Sequence, residues 1–421
     1  MTYSSLINRK ILGRTQYLST HIYPKLSYSS NLPKSIKVLH KNVFPKYGKG
    51  SWLYDEDNNK FLDLTSGIGA LSTGHSHPEI IKSVKKQVEK YVHSPQQLFN
   101  IHESSNELMP HLLNIMPYQY LNSVFYVNSG SEATDNAIKI ARAHTKKQNI
   151  ITMKKGFHGR TYGALSVTSS NLNCKKNVNP LLPGVYFSEI NDINSFKDIL
   201  SYNTSPEETA CVIYEPVQGE GGIFSLEEDF LKELHYICEE NNILTIADEV
   251  QCGFGRTGTF WNVEQKNVKP DILTFGKGIG SGFPIAGLVA NKELMDTVGN
   301  NFLGGTYGGN AISCAAARAT IEIMNNENLL ENVKEMGLYL NLELQKLPNI
   351  KKIRQYGLMI GIEFTNHKYV SKLVEDLNNR NILVLNCGDK GQYMRLLPPL
   401  NIKKEECDLF IHNFSQLLMN L

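Results

Sequence analysis

At 421 residues the chain is longer than one hydrophobic core usually supports, so two lobes sharing a cleft are expected. A formal net charge of +2, with only 20% charged residues, leaves no basic footprint for nucleic acid. No apolar run reaches membrane-spanning length, and the seven cysteines (Cys174, Cys211, Cys238, Cys252, Cys314, Cys387, Cys407) lack paired short spacings, which argues for reduced thiols and against zinc or a disulfide framework.

The N-terminal segment differs from the rest. No Asp or Glu precedes Asp55, while Arg9, Lys10, Arg14, Lys25, Lys34 and Lys37 stand among Ser, Thr and Tyr. Basic, hydroxylated and acid-free is the composition of a mitochondrial transit peptide, so residues 1–35 read as targeting sequence. The expected location is the mitochondrial matrix, with the cytoplasm as the alternative. From about residue 78 to 310, apolar strands alternate with amphipathic helices, the pattern of a doubly wound sheet. Strands are expected to end near Val127, Met153, Tyr214, Ala247, Phe275 and Ala290. After Ala311–Ala317 one long helical stretch should reach about Lys346. A second α/β unit follows, with strands at Leu358–Phe364 and Ile382–Leu385. No internal repeat is visible.

Three places in this pattern carry chemistry. The strand Ser123–Val127 runs through Asn128–Ser131 into a helix with Ala133, Ala137, Ile140 and Ala141 on one face. Unsatisfied N–H groups and the helix dipole make that turn a candidate phosphate site, although many such turns bind nothing. The apolar run Ile243–Ala247 ends on Asp248. The run Ile272–Phe275 ends at Gly276-Lys277-Gly278, where Lys277 is the only charge between Asp271 and Lys292. An amine between a buried strand and a glycine turn is poorly hydrated, which favours its neutral, nucleophilic form. Carboxyl ends of parallel strands line the ligand crevice of such sheets, so Asp248 and Lys277 should share one cleft. Taken singly, Lys277 could be a snorkelling lysine and Asp248 a helix N-cap. Together with the phosphate turn they describe a pocket for pyridoxal 5′-phosphate (PLP), whose aldehyde needs an amine and whose ring nitrogen needs a carboxylate.

Six motifs then stand in one order: Gly74–Pro78 (GHSHP), Asn128–Ala133 (NSGSEA), Gly156–Thr161 (GFHGRT), Glu215–Gly222 (EPVQGEGG), Asp248–Gly258 (DEVQCGFGRTG) and Gly305–Asn310 (GTYGGN). On these the chain resembles the class III, or ω-amino-acid, aminotransferases of PLP fold-type I, from about Tyr47 to the C-terminus. The resemblance implies an α/β fold in two parts. A PLP-binding large domain (residues 78–320) would hold a mostly parallel seven-stranded sheet, and a smaller α/β domain would combine residues 36–77 with 321–421. It implies that Lys277 carries the cofactor and moves the proton, with Asp248 on the ring nitrogen. Gly130 and Ser131 would meet the phosphate, Phe157 and Val250 would cover the two ring faces, and Gln251 would meet the ring hydroxyl. His158 belongs to the same cofactor set, and Glu215 would support Arg160 or that hydrogen-bond network. Thr306 would reach the phosphate of the other subunit, which makes a homodimer with shared sites. No metal is expected.

Arg160 is the first choice for a substrate carboxylate, because a guanidinium matches the carboxylate fork. Arg395 is the second, and the resemblance implies that it alternates between Glu220 and the α-carboxylate of a keto acid. Their bland alternative is a structural salt bridge. The expected reaction is ping-pong transfer of an amino group from an N-acetylornithine- or 4-aminobutyrate-type donor to 2-oxoglutarate, giving glutamate. Ornithine δ-aminotransferase and a fold-type I racemase or aminomutase are the alternatives. Ile68 stands where ornithine enzymes carry a tyrosine, which weighs against ornithine. Val38 stands where acetylornithine enzymes usually have one, which weakens that reading too.

Overall fold

The structure, a computed structural model, describes residues 33–96, 98 and 101–421. Nearly all of the expected transit peptide therefore lies outside the described residues. Those before Pro45 belong to a separate unit with short turns, such as the Ile36 N–H to Pro33 carbonyl bond of 3.0 Å. Everything from Pro45 to Leu421 forms the second unit.

Three antiparallel strands open that unit: β1 (Pro45–Lys49), β2 (Trp52–Asp55) and β3 (Lys60–Asp63). The central sheet follows with β4 (Ser123–Val127), β5 (Asn149–Met153), β6 (Val185–Ser188) and β7 (Thr209–Tyr214). A hairpin of β8 (Val217–Gln218) and β9 (Phe224–Ser225) interrupts it before β10 (Leu244–Asp248), β11 (Ile272–Phe275) and β12 (Ala286–Ala290). The seven strands lie in the order β4-β12-β11-β10-β7-β5-β6, and only β12 runs antiparallel to its neighbours. The mostly parallel seven-stranded sheet is thus present. Every residue of β7, β11 and β12 is buried, as expected when both faces are covered. The helix Gly130–Thr145 lays Ala133, Ala137, Ile138, Ile140 and Ala141 against this sheet.

Three details depart from the sequence expectations. The edge strand β6 was not anticipated: it is four residues long and half-buried, too short for a periodic signal. The long helix breaks into Ala311–Asn326 and Leu329–Leu344, because Asn328 takes the left-handed conformation at φ 50°. The run Ile382–Leu385 also divides. The C-terminal strands are β13 (Ile350–Tyr356), β14 (Met359–Phe364), β15 (Ile382–Leu383), β16 (Leu385–Cys387) and β17 (Tyr393–Leu396). Strand β15 pairs in parallel with β3, whereas β16 pairs with β17 in the sheet β13-β14-β17-β16.

That division joins the two ends of the chain. Ser51 Oγ and Trp52 Nε1 add to the joint by donating to the Glu406 carboxylate at 2.9 and 2.6 Å. Arg256, from the loop after β10, ties this lobe to the central sheet without an acid partner among the described residues. It donates to the carbonyls of Leu358 at 3.1 Å and Pro398 at 2.5 Å, and burial lowers its pKa to about 9. All seven cysteines are free thiols, six of them buried.

Candidate active site

The carboxyl ends of β4, β5, β7, β10 and β11 surround a cavity of about 250 Å³. Ten of the expected residues line it: Gly130, Ser131, Phe157, His158, Arg160, Glu215, Asp248, Val250, Gln251 and Lys277. Glu220 and Arg395 adjoin it through Gln251, whose Oε1 accepts from Arg395 Nη1 at 3.0 Å. Thr306 and Ile68 are not in its lining. Both are exposed on this chain, Ile68 at 46%.

At the turn after β4, Ser129 caps the helix and forms a reciprocal capping box with Glu132. The Glu132 carboxylate takes the N–H groups of Asn128 and Ser129, both at 2.8 Å. Gly130 and Ser131 are the first helical residues, and their N–H groups have no acceptor inside a helix. A Cβ on Gly130 would lie 2.7 Å from Val250 Cγ1, so only glycine lets the helix N-terminus come this close to the loop after β10.

Asp248 closes β10 and is buried. Its Oδ2 lies 2.7 Å from His158 Nδ1, and Oδ1 accepts from Thr274 Oγ1 at 3.2 Å and from the Val250 N–H at 3.1 Å. No helix follows directly, so Asp248 is not a helix N-cap. Thr274 is a participant that the sequence reading missed. Its signal was a hydroxyl inside the apolar run Ile272–Phe275, at the position that pairs in register with Asp248.

Lys277 follows β11 at φ 45°, a left-handed conformation rare outside glycine. Burial lowers its pKa, and Arg395 adds to that while Glu220 opposes it. Glu215 organises the opposite wall by accepting the N–H groups of Phe157 at 2.8 Å and Gly219 at 3.0 Å. It therefore holds the ring-bearing loop and makes no bond to Arg160. Burial raises its pKa to about 7. Arg160 is exposed, with its guanidinium 5.3 Å from the Phe157 ring centroid.

Arg395 is 2% exposed and donates to Glu220 Oε1 at 2.8 Å. Burial works against both charges, yet their mutual attraction outweighs it. The Glu220 pKa lies below the usual range and that of Arg395 above it. Arg395 Nε has no hydrogen-bond partner among the described residues, leaving a buried donor for an incoming acceptor.

Behind Asp248, Glu249 turns away from the cavity. It accepts from Cys252 Sγ at 3.0 Å and from the Val263 N–H at 2.8 Å, and burial raises its pKa to about 7. A folded pKa above the unfolded value means that the native state binds the extra proton. The associated stability is complete below about pH 4.3 and is lost as pH rises through 7. Glu249→Gln is therefore expected to raise stability at pH 8.5 by about 2 kcal/mol while changing it little at pH 5. Thermal melts at the two pH values test this, and equal shifts at both would show that Glu249 is not the titrating group.

The donor set fits PLP: a desolvated amine at Lys277, a buried carboxylate at Asp248, an aromatic ring at Phe157 and a helix N-terminus at Gly130. Comparison with known proteins agrees. The sequence profile of Aminotransferase class-III matches residues 35–418. An acetylornithine aminotransferase from Aquifex aeolicus is 38% identical over 379 residues, covering 88% of this chain and 96% of that protein. The 4-aminobutyrate aminotransferase GabT of Escherichia coli is 35% identical over 417 residues, covering 92% and 96%. Among solved structures, an ornithine aminotransferase from Toxoplasma gondii, reported with partial PLP occupancy, superposes with a TM-score of 0.85 at 27% identity over 98% of both chains. The chain belongs to the class III aminotransferases, and it is a PLP-dependent transferase.

Proposed function

We propose that the protein transfers the amino group of an ω-amino acid, of N-acetylornithine or 4-aminobutyrate type, to 2-oxoglutarate by a ping-pong mechanism. The Arg395–Glu220 pair at 2.8 Å carries this reading. One pocket must accept a donor whose reacting end bears no carboxylate, and then a keto acid with a carboxylate beside the reacting carbon. An arginine that is neutral in sum with Glu220 suits the first. The same arginine released from Glu220 suits the second. A racemase has no need of this alternation.

When bound, the cofactor supplies an electron sink that makes the C–H bond beside the substrate nitrogen acidic. The protein supplies the rest. Asp248, held by His158 and Thr274, is the carboxylate that would pair with the cofactor's ring nitrogen. Phe157, fixed by Glu215, and Val250 line the cavity and would hold the cofactor ring between them. Lys277, whose pKa burial depresses, is the amine that would take the proton from the substrate carbon and hold it for return. Arg160, at the cavity rim, meets the distal carboxylate of the substrate.

Three relatives named for acetylornithine, 4-aminobutyrate and 5-aminovalerate lie at 38%, 35% and 36% identity, too even a spread to select a donor. Ile68, which lies outside this chain's cavity, has no hydrogen-bonding group for a free α-amino group, and that sequence difference weighs against ornithine. Thr306 is exposed and outside its own chain's cavity, so the contact with a cofactor phosphate would have to be made in a second copy, and a homodimer is part of this reading.

A panel of N-acetylornithine, 4-aminobutyrate, 5-aminovalerate, ornithine and glutamate, each mixed with the loaded enzyme without keto acid, tests the reading. Loss of the visible cofactor absorbance is expected with at least one ω-amine, and with glutamate. Response to glutamate alone would overturn it, and a monomeric mass in the ultracentrifuge would remove Thr306 from the site.

A further inference from the structure

Arg354 lies in β13, and its register partner in β14 is Gly361, which in turn pairs with Arg395 in β17. Residues two apart on a strand share a face, so Arg354, Gly361, Glu363, Tyr393 and Arg395 all face the same way. The turn of the β8–β9 hairpin, which carries Glu220, packs on this face. A Cβ on Gly361 would come within 2.9 Å of Ile223 Cβ and 3.3 Å of the Gly222 carbonyl. The missing side chain between the two arginines is what lets the hairpin sit there.

Arg354 is 8% exposed and is an unusual buried cation. It pairs with Glu363 through Nη2, whereas Nε and Nη1 have no hydrogen-bond partner among the described residues. Its guanidinium faces two rings instead, 4.3 Å from the Phe224 centroid and 4.7 Å from that of Tyr393. The rings meet edge to face at 5.8 Å and 83°. Phe224 is the first residue of β9, four after Glu220, and Tyr393 stands two before Arg395. One desolvated guanidinium therefore clamps the arm of the hairpin that holds Glu220 to the strand that holds Arg395. The Gly388 N–H, donating to the Glu220 carbonyl at 2.8 Å, is a second tether.

We propose that Arg354 is a positioning residue for substrate discrimination. Through Phe224 and Tyr393 it sets the geometry at which Glu220 meets Arg395, and so how completely Glu220 neutralises that arginine when an ω-amine occupies the site. This rests on the reading of Glu220 and Arg395 as the substrate switch. Lysine would keep the charge of Arg354 but not the flat surface that contacts both rings.

The test compares half-reactions of the loaded enzyme with the best ω-amino donor and with glutamate, in Arg354→Met, Arg354→Lys and the control Arg395→Ala. Arg354→Met is expected to lower the ratio of the two specificity constants, ω-amine over glutamate, about tenfold, with cofactor binding and absorbance unchanged. Arg354→Lys should recover part of that ratio. A merely structural arginine would lower the melting temperature or slow both half-reactions equally and leave the ratio intact, which overturns the proposal. An Arg395→Ala variant that handles glutamate and 2-oxoglutarate normally would instead remove the switch itself, a separate failure. Should Arg354→Met not fold, Phe224→Leu keeps the arginine and deletes the ring it acts through. The same fall in ratio is then expected, and an unchanged ratio overturns the clamp.

Discussion

Arg395→Ala is expected to cripple the keto-acid half-reaction and to leave the ω-amine half-reaction far closer to wild type. The guanidinium is 2% exposed, with Glu220 at 2.8 Å and Gln251 at 3.0 Å as its side-chain partners. A keto acid that arrives without it loses a charge-assisted contact in a desolvated place, worth about 2–5 kcal/mol when one partner stays buried. That corresponds to a loss on the order of 30-fold to several thousandfold. The ω-amine leaves Arg395 bound to Glu220 in both ground and transition states, so it loses much less. Glu220→Ala should act in the opposite sense. It leaves a buried positive charge uncompensated, which favours any donor with an α-carboxylate and so erodes the preference for ω-amines. Stopped-flow measurement of each half separately decides between the readings. Equal losses in both halves for Arg395→Ala would make the pair a structural salt bridge.

Lys277→Ala should abolish turnover while the protein still takes up the cofactor. The amine supplies both the covalent anchor and the proton shuttle. Loss of acid–base catalysis alone costs on the order of 10²–10⁴ in rate. Retention is expected because the Gly130–Ser131 helix start and Asp248, with its His158 and Thr274 contacts, do not depend on Lys277. On the wild-type enzyme, borohydride reduction followed by peptide mapping should place the phosphopyridoxyl label on the peptide containing Lys277. Label on another lysine, or full activity in the variant, would end the assignment.

Much of this site is legible in the sequence. Asp248 and Lys277 each end an apolar run, and a parallel sheet sends such ends to one edge, so their shared cavity followed from local pattern. The turn at Ser129–Ser131 was equally local, since capping and helix periodicity lie within a few residues of each other. Long-range partnerships were harder. Glu215 was expected to support Arg160 or the cofactor network; of these, Arg160 is not its partner, and its oxygens hold the Phe157 and Gly219 N–H groups beside the cavity. Backbone partners carry no residue identity and leave no trace in a motif.

The sequence by itself determined the strand-and-helix alternation, the mostly parallel central sheet, the PLP chemistry and the residues at the strand ends. These depend on periodicity and on side-chain types at short spacing. Tertiary structure alone decided what bridges distant segments. Ile382–Leu385 divides between two sheets, Ile382 and Leu383 pairing with β3 and Leu385 with β17. Arg256 is buried among carbonyls from Leu358 and Pro398, more than a hundred residues away. Arg354 meets Phe224 and Tyr393, which lie near Glu220 and Arg395 in the chain, only because the sheet register sets Gly361 between the two arginines. A hydrogen bond or a ring contact between residues so far apart in the chain depends on where the backbone places them, and no local pattern encodes that distance.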